Sequence, residues 1–408
     1  MESLFNPFTE STAGPYFVGR EAQIEIFRLA LNGLKQRRPS HMFVAGLHGT
    51  GKTSYLERIK EIATSEGIIG AKATLDETRS AVDHINSIIT GLLAAVEQHS
   101  KLGGKPVQGL VADWERGSEA QHFGFPRANA VSSDKINADL IKIASIIEAT
   151  GCPGTVICVD EAQRINPHAL SALKNAVQGL EAFLLVLSLR LVQVLGTIVD
   201  SGRSILDERA KEAEGDFGAS RLFVQGASMG PFDSPEEAKA CIEKRLEDNL
   251  VSFDDDVIDA VGRITGRVPH KMISLSSAIY TRAVQTDKLA VDISLLQDAF
   301  RSTYGAYFKE AVELVGASSS VQREVLRRLV KLRGKAKAEE IASQWLRHSQ
   351  PNIPSNNPAE TLLADAVAGV VGRIVSKTSF IDVQDEAVVV SDQAYLYALE
   401  LALGKEVL

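Results

Sequence analysis

The stretch Gly46-Leu47-His48-Gly49-Thr50-Gly51-Lys52-Thr53 decides the fold of this 408-residue chain. It has the pattern G-x-x-x-x-G-K-[ST], it follows a short apolar run at His41–Ala45, and a helical pattern begins at Lys52. The glycines let backbone amides turn toward a phosphate group, and the start of the helix adds positive potential. The sequence therefore predicts a phosphate-binding loop between a strand and a helix.

The side chains of this loop predict contacts with the β- and γ-phosphates of a nucleotide and with Mg²⁺. The Lys52 ammonium can reach the β- and γ-phosphates, and the Thr53 hydroxyl can bind the metal. A chance glycine-rich turn is the alternative, but such a turn does not require this lysine and this threonine. The residues expected to contact the nucleotide here are Gly46, Leu47, His48, Gly49, Thr50, Gly51, Lys52, Thr53 and Ser54.

Two acids, Asp160 and Glu161, directly follow a second apolar run at Thr155–Val159. A buried strand carries such acids to the carboxyl edge of a parallel sheet, where α/β folds bind their ligands. We expect Asp160 to hold Mg²⁺, directly or through water, and Glu161 to act as general base on the attacking water. Taken alone, the pair also fits acids that cap a following helix.

A polar residue follows the next apolar run along the chain, Phe183–Leu187. The Ser188 hydroxyl at this position is expected to orient the water between the two acids and the γ-phosphate. An ordinary polar strand terminus is the alternative interpretation.

Strand-like and helical segments alternate up to about residue 232, which predicts a parallel α/β sheet covered on both faces. Within this part, residues 100–133 are rich in Gly, Ser, Pro and Asn and are predicted to form a long loop. Only helices are expected over residues 233–312. Three helices and a strand-like pair (Ile374–Val383 and Ala387–Val390) then give the order of a winged helix. The predicted domains are an α/β core (1–232), a helical lid (233–312) and a winged helix (313–408).

The composition is that of a globular protein, with 45% hydrophobic and 24% charged residues. The formal net charge of −8 means that any nucleic-acid contact must come from a local basic patch. Three cysteines without a C-x-x-C pair suit a reducing compartment, and the histidines show no zinc-site spacing. The N-terminus lacks a signal-peptide pattern, and Arg190 and Gln193 interrupt the most apolar stretch. We therefore expect a cytoplasmic protein without a membrane span.

Four motifs together resemble those of AAA+ ATPases, in the group that includes origin-recognition initiators and STAND-like ATPases. Two of them are the phosphate loop and the run Asp160-Glu161-Ala162-Gln163, which are similar to Walker A and Walker B. The others are Phe17-Val18-Gly19-Arg20-Glu21, which resembles a box lining the adenine pocket, and Gly266-Arg267-Val268-Pro269-His270, which resembles a lid segment. The resemblance spans about residues 14–300.

This resemblance implies further nucleotide contacts from Val18, Gly19, Arg20, Arg267 and Pro269. It also implies homo-oligomers with ATP sites at subunit interfaces, which a neighbour's arginine, Arg209 or Arg221, completes. The chain departs from the initiators at Pro269, where they usually carry an arginine that contacts the γ-phosphate. A solvated surface position remains the alternative for Arg267, as does a surface salt bridge for Arg209 or Arg221.

The densest basic cluster of the chain lies in the predicted winged helix and includes Arg323, Arg327, Arg328 and Lys331. Such a cluster can neutralise phosphates of double-stranded DNA. A solvated helix face, or a surface that contacts a protein, is the alternative. The first functional hypothesis is therefore a DNA-associated ATPase acting as a loader, motor or regulator in replication, transposition or defence against mobile DNA. The second is an oligomeric nucleotide switch with little turnover, whose winged helix binds an unknown protein partner.

Overall fold

A five-stranded parallel sheet forms the centre of the first half of the chain. The computed structural model describes residues 6–8, 14–77, 79–102, 109–116, 131–191, 193–194, 197–198, 223–350 and 358–404. Those within Thr12–Gly230 form one unit, and those within Met1–Ser11 and Pro231–Leu408 form a second. The predicted division of the second unit between residues 312 and 313 stays a prediction.

The strands of the first unit are β1 (His41–Gly46), β2 (Ile69–Thr74), β3 (Thr155–Asp160), β4 (Phe183–Arg190), the short antiparallel pair β5 (Gln193–Val194) and β6 (Thr197–Ile198), and β7 (Phe223–Met229). Its helices are α1 (Glu21–Lys35), α2 (Lys52–Ser65), α3 (Ala81–Leu102), α4 (Leu110–Arg116), α5 (Ser133–Ala149) and α6 (Pro167–Val177).

The sheet has the strand order β2-β3-β4-β1-β7, and apolar side chains cover both of its faces. Helices α1 and α2 pack on one face, whereas α3, α5 and α6 pack on the other. Every residue of β3 is buried, which explains why this strand is a continuous apolar run rather than an alternating pattern. The predicted α/β fold class is therefore confirmed.

One helix of the first unit lies in a segment for which the sequence predicts a loop. Helix α4 falls within residues 100–133, and its Leu110 and Trp114 side chains are buried in the core beside α3. The composition around α4 is that of a loop, and a helix of seven residues is too short for a helical period to stand out in the sequence. Strand β4 also runs past its predicted end to Arg190, because Leu189 continues the buried face of Leu185 and Leu187.

The second unit begins with α7 (Pro235–Leu246), β8 (Ser252–Phe253), α8 (Asp255–Ile264), α9 (Pro269–Gln285), β9 (Ala290–Val291), α10 (Ile293–Thr303) and α11 (Gly305–Gly316). Strands β8 and β9 form a short parallel pair, so the expectation of helices alone over residues 233–312 is wrong. Each strand is two residues long, which is too short for a period-2 pattern to appear in the sequence.

The unit continues with α12 (Ser320–Lys331), β10 (Lys335–Lys337), α13 (Ala338–Ser349), α14 (Pro358–Val375), β11 (Ile381–Gln384), β12 (Ala387–Val390) and α15 (Gln393–Leu403). The sequence pattern does not predict β10, which completes a three-stranded antiparallel sheet in the order β10-β12-β11. The first predicted strand was also wrong at its start, because Ile374 belongs to α14. Aromatic contacts join this tail, Ser320–Leu403, to the two helices before it. The ring centroids of Phe300 on α10 and Tyr397 lie 4.9 Å apart, and those of Tyr307 on α11 and Phe380 lie 4.8 Å apart.

None of the helices within the described ranges is long and apolar enough to span a membrane.

The buried His41 at the start of β1 predicts a pH-dependent loss of stability. Its Nδ1 accepts a hydrogen bond from the Leu185 amide at 3.0 Å, and burial lowers the pKa of His41 to about 4. Between this pKa and the ordinary value of 6.5 the unfolded chain binds the proton more readily, so stability falls as the pH falls through this window. At pH 5 we expect the free energy of unfolding to be about 2 kcal/mol lower because of this group. Denaturant unfolding should show a smaller loss for His41→Asn, which keeps an acceptor but does not titrate; an equal pH dependence would contradict this assignment.

Candidate functional site

Three neighbouring strands bring the predicted site residues to one edge of the sheet. In the register of the sheet, Gly46 pairs with Arg190 and Val44 pairs with Ser188. Val159 pairs with Leu187, so Asp160 at the end of β3 lies level with Ser188 on β4. The phosphate loop, Asp160 and Ser188 therefore meet at the carboxyl ends of parallel strands, where ligands bind in such sheets.

Two of the glycines show why the backbone of the phosphate loop needs this residue. Gly51 precedes α2 with a φ of 90°, in the left-handed region that favours glycine. At Gly46 a Cβ atom would collide with the Met229 carbonyl on β7, so the close approach of β1 and β7 depends on the missing side chain. This part of the motif therefore shapes the loop as well as leaving room for a ligand.

The buried Arg20 side chain donates hydrogen bonds to the phosphate loop. Arg20 is 2% exposed, and its Nη2 atom donates to the Thr50 carbonyl at 3.2 Å and to the Gly230 carbonyl at 2.6 Å. The guanidinium thus supports the loop through backbone carbonyls of its own unit. The nucleotide contacts expected from Val18, Gly19 and Arg20 stay predictions.

Lys52 is a buried cation at the first position of α2. Its Nζ atom donates to the carbonyls of Gly46 and Leu47 at 2.9 and 2.8 Å. Burial lowers the pKa of Lys52, and the charge of Arg190 acts in the same direction, whereas Glu161 and Asp160 partly oppose the shift. An ammonium group that is desolvated in this way gains strongly from an anionic partner, which a phosphate supplies.

Thr53 and Asp160 place two oxygen atoms that could bind a metal next to the loop. The Thr53 hydroxyl donates to Asp160 Oδ2 at 2.8 Å, and the Glu161 amide donates to Asp160 Oδ1 at 3.0 Å. A hydroxyl and a carboxylate are the ligands that Mg²⁺ uses when substrate phosphates complete its shell. The arrangement therefore fits the predicted metal. A cation of the protein also lies nearby, since Lys72 Nζ on β2 is 3.9 Å from the Asp160 carboxylate.

Glu161 begins the turn after β3 in a left-handed conformation, with a φ of 54°. The Gln163 side chain joins this acid to the end of β4: its Nε2 donates to Glu161 Oε2 at 2.6 Å, and its Oε1 accepts from the Arg190 amide at 3.0 Å. Arg164 Nε lies 3.5 Å from the same carboxylate oxygen. The carboxylate of Glu161 is therefore held in place by residues of its own turn.

Ser188 lies on the face of the sheet that packs against α2, as the alternation with Leu184 and Val186 requires. The residue is fully buried, and its Oγ finds no hydrogen-bond partner among the residues that the structure describes. Leaving a buried hydroxyl unpaired costs roughly 1–3 kcal/mol, so the group favours a polar partner next to Asp160. Ser188 is not a strand terminus, since β4 continues to Arg190.

Four residues predicted from the resemblance are not among the described residues of the first unit. Arg209 and Arg221 fall outside the described residues. Arg267 and Pro269 belong to the second unit, where Arg267 Nη1 donates to the Asp233 carbonyl at 3.2 Å and Pro269 is buried as the first residue of α9. Their predicted nucleotide contacts stay predictions.

The basic cluster of the tail, which includes Arg323, Arg327, Arg328 and Lys331, exposes less positive charge than its sequence indicates. Arg328 is buried, with a side chain that is 6% exposed, and its Nε donates to Glu324 Oε1 at 2.7 Å. Arg327 Nη1 lies 3.3 Å from the other oxygen of Glu324. The expectation that Arg328 contacts DNA is therefore corrected, because one acid within the helix binds it on the buried side. Arg323 and Lys331 are exposed.

Sequence reasoning missed Gln163, Lys72 and Arg190. A lysine within a buried strand and an arginine at the end of an apolar run were signals for the last two. Gln163 ends the run Asp160-Glu161-Ala162-Gln163, but nothing in the sequence shows that its amide forms hydrogen bonds through both its nitrogen and its oxygen.

The profile of the AAA ATPase domain matches residues 16–192. Among solved structures, the chain is similar to the Aeropyrum pernix ORC2 protein in ADPNP–ADP complexes, with a TM-score of 0.51, 13% identity, and coverage of 98% of this chain and 97% of that one. It is also similar to a Walker-type ATPase of Pyrococcus abyssi (TM-score 0.49, 14% identity, coverage 97% and 99%) and to the Thermotoga maritima RuvB Holliday junction branch migration motor (0.41, 14%, 93% and 95%).

A comparison with curated proteins finds no match. At these identities the structural similarity shows the fold alone, which is the P-loop AAA+ type of α/β fold with additional helical parts. The match to the AAA ATPase domain covers residues 16–192, which include the phosphate loop, Asp160 and Ser188 at the sheet edge described above.

Proposed function

We propose that this protein binds ATP with Mg²⁺, hydrolyses it, and works as a DNA-associated loader, motor or regulator. The observation that carries the proposal is the meeting of the phosphate loop with the Thr53–Asp160 pair and Glu161 at one sheet edge. Formation of homo-oligomers with ATP sites at subunit interfaces belongs to the same proposal, as does an arginine, Arg209 or Arg221, supplied by a neighbour.

Each residue of the site has a distinct task in this proposal. Lys52 leaves the loop carbonyls and binds the β- and γ-phosphates, while Thr53 and Asp160 hold the metal. Mg²⁺, when bound, neutralises charge on the phosphate oxygens. Glu161 takes the proton of the attacking water. The hydroxyl of Ser188, which lies level with Asp160, orients this water. Gln163 keeps the Glu161 carboxylate aligned with the end of β4.

The DNA-associated role rests on the tail. Its elements follow the order helix, strand, helix, helix and hairpin, which supports a winged helix, and α12 presents Arg323 and Lys331 on its exposed side. These two residues are two i, i+4 steps apart, so they share one face and lie about 12 Å apart along the helix axis. Two cations on one face can contact the phosphate backbone without reading bases.

Salt-dependent DNA binding tests this role. In a titration of labelled duplex between about 50 and 200 mM salt, Arg323→Ala/Lys331→Ala should reduce the slope of log affinity against log salt by about 1.8, because each phosphate contact contributes roughly 0.9. Affinity should depend little on DNA sequence.

The matched control is Arg282→Ala/Lys288→Ala, which removes two exposed charges elsewhere in the same unit and should keep the slope. A wild-type protein that binds no duplex at low salt would contradict the DNA-associated role.

One observation favours a second function, a nucleotide switch with little turnover whose tail binds a protein partner. The Glu161 carboxylate already contacts Gln163 and Arg164 through Oε2, so two protein groups compete with water for this oxygen. Glu324 also neutralises part of the tail cluster. Nucleotide that stays bound through purification, together with negligible phosphate release, would favour the switch; sustained turnover with released ADP would favour the ATPase.

A further inference from the structure

Two arginines of the second unit have no ionic partner among the residues that the structure describes, and they line the same two pockets. Arg263 is in the last turn of α8, and Arg333 is in the turn between α12 and β10. Both residues are exposed, and within the described part of the chain neither forms a salt bridge or a side-chain hydrogen bond. They are 70 positions apart in sequence, so only the packing of the tail brings them together.

The pockets beside these arginines carry an excess of positive charge. The larger one, of about 530 Å³, is lined by Lys239, Asp259, Arg263, Arg267 and Arg333 among others. The adjoining one, of about 250 Å³, shares Arg263 and Arg333 and adds Lys331 and Glu400. Lys239 is paired with Asp255 at 2.8 Å. The other four cations therefore face only two acids.

The walls of these pockets are held in place by contacts within the unit. Lys271 Nζ on α9 lies 2.9 Å from Asp392 Oδ2, and the same aspartate caps α15 by accepting from the Ala394 amide. Arg267 is anchored on both sides, since its carbonyl accepts from the Phe232 amide at 2.9 Å and its guanidinium binds the Asp233 carbonyl. Its charge is thus presented from a fixed position, which reduces the entropy lost on binding an anion.

We propose that this pair of pockets binds backbone phosphates of double-stranded DNA through Arg263 and Arg333, with Arg267 beside them. A guanidinium presents several N–H donors in a planar fork that matches two phosphate oxygens, which makes unpaired arginines the side chains best suited to this ligand. The smaller pocket also includes Lys331, so its charge continues the exposed α12 face of Arg323 and Lys331. This inference rests on the proposed DNA association and extends it from the tail helix to the helices before it.

The test compares three double variants in the presence of saturating ATP, using duplex anisotropy over a series of salt concentrations. Arg263→Ala/Arg333→Ala should reduce the salt slope by about 1.8, as expected for two lost phosphate contacts. Arg263→Lys/Arg333→Lys should retain most of the slope, because the charges remain. Arg282→Ala/Lys288→Ala serves as the control with the same change of charge, and thermal melting of each variant monitors folding.

A second readout is chemical. Phenylglyoxal modifies accessible arginines, and mass spectrometry of the wild-type protein should show that duplex protects Arg263 and Arg333 but leaves Arg282 reactive. If the wild-type protein binds duplex and the Arg323→Ala/Lys331→Ala variant weakens it, but neither the pocket substitutions nor the protection behaves as expected, the pocket is overturned while the proposed function stands. If the wild-type protein binds no duplex, the proposed function fails first. Protection by inorganic pyrophosphate but not by duplex would overturn DNA as the source of the phosphate.

Discussion

Lys52→Ala is expected to weaken ATP binding by a factor of roughly 100, equivalent to about 2.8 kcal/mol. The wild-type ammonium is desolvated and rests on two loop carbonyls, so it is placed to exchange these neutral acceptors for charged phosphate oxygens. Removing the charge leaves the phosphates with the backbone amides of the loop and with Mg²⁺. Isothermal calorimetry with ATP and Mg²⁺ measures the change directly.

Two further variants make this result specific. Lys60→Ala lies on the same helix, where the wild-type side chain pairs with Glu57, and it should bind ATP normally. Lys52→Met keeps the volume of the side chain without its charge, so it separates loss of the cation from collapse of the loop. Unchanged ATP affinity in both Lys52 variants would contradict the assignment of the nucleotide site.

Glu161→Gln should retain ATP but lose turnover by about 10²- to 10⁴-fold, the usual contribution of a general base. The amide has nearly the shape of the carboxylate, so the turn after β3 and the contact with Gln163 can persist. The neighbouring Asp160 still accepts from Thr53, which keeps the metal ligands in place. Phosphate release under single-turnover conditions, with ATP affinity measured in parallel, separates binding from chemistry.

The control is Glu181→Gln, an exposed acid in the turn before β4, which should hydrolyse ATP at the wild-type rate. Hydrolysis by Glu161→Gln at that same rate would show that the general base has been placed wrongly. A mixture of Glu161→Gln with a variant of the neighbour's arginine should regain some activity if the sites are shared between subunits.

The strand, loop and helix around Gly46–Thr53 can be predicted from the sequence, because their signals are local. The loop needs glycines where the backbone turns, an apolar strand before them and a helix after them, and these are all visible within about ten residues. The same holds for β3, where the apolar run Thr155–Val159 is followed by Asp160, the last residue of the strand. The α/β class followed from the alternation of such segments.

Tertiary structure decided which charged side chains remain available. Arg323 and Arg328 stand in one basic run, yet the first is exposed, whereas the second is buried against Glu324, because the packed side of α12 faces the rest of the tail. Gln163 reaches Glu161 locally, but its second hydrogen bond requires the end of β4. The meeting of Arg263 with Arg333 depends on helices distant in sequence. Sequence patterns report the periodicity of single elements, and such contacts depend on how elements pack against one another, which the periodicity does not encode.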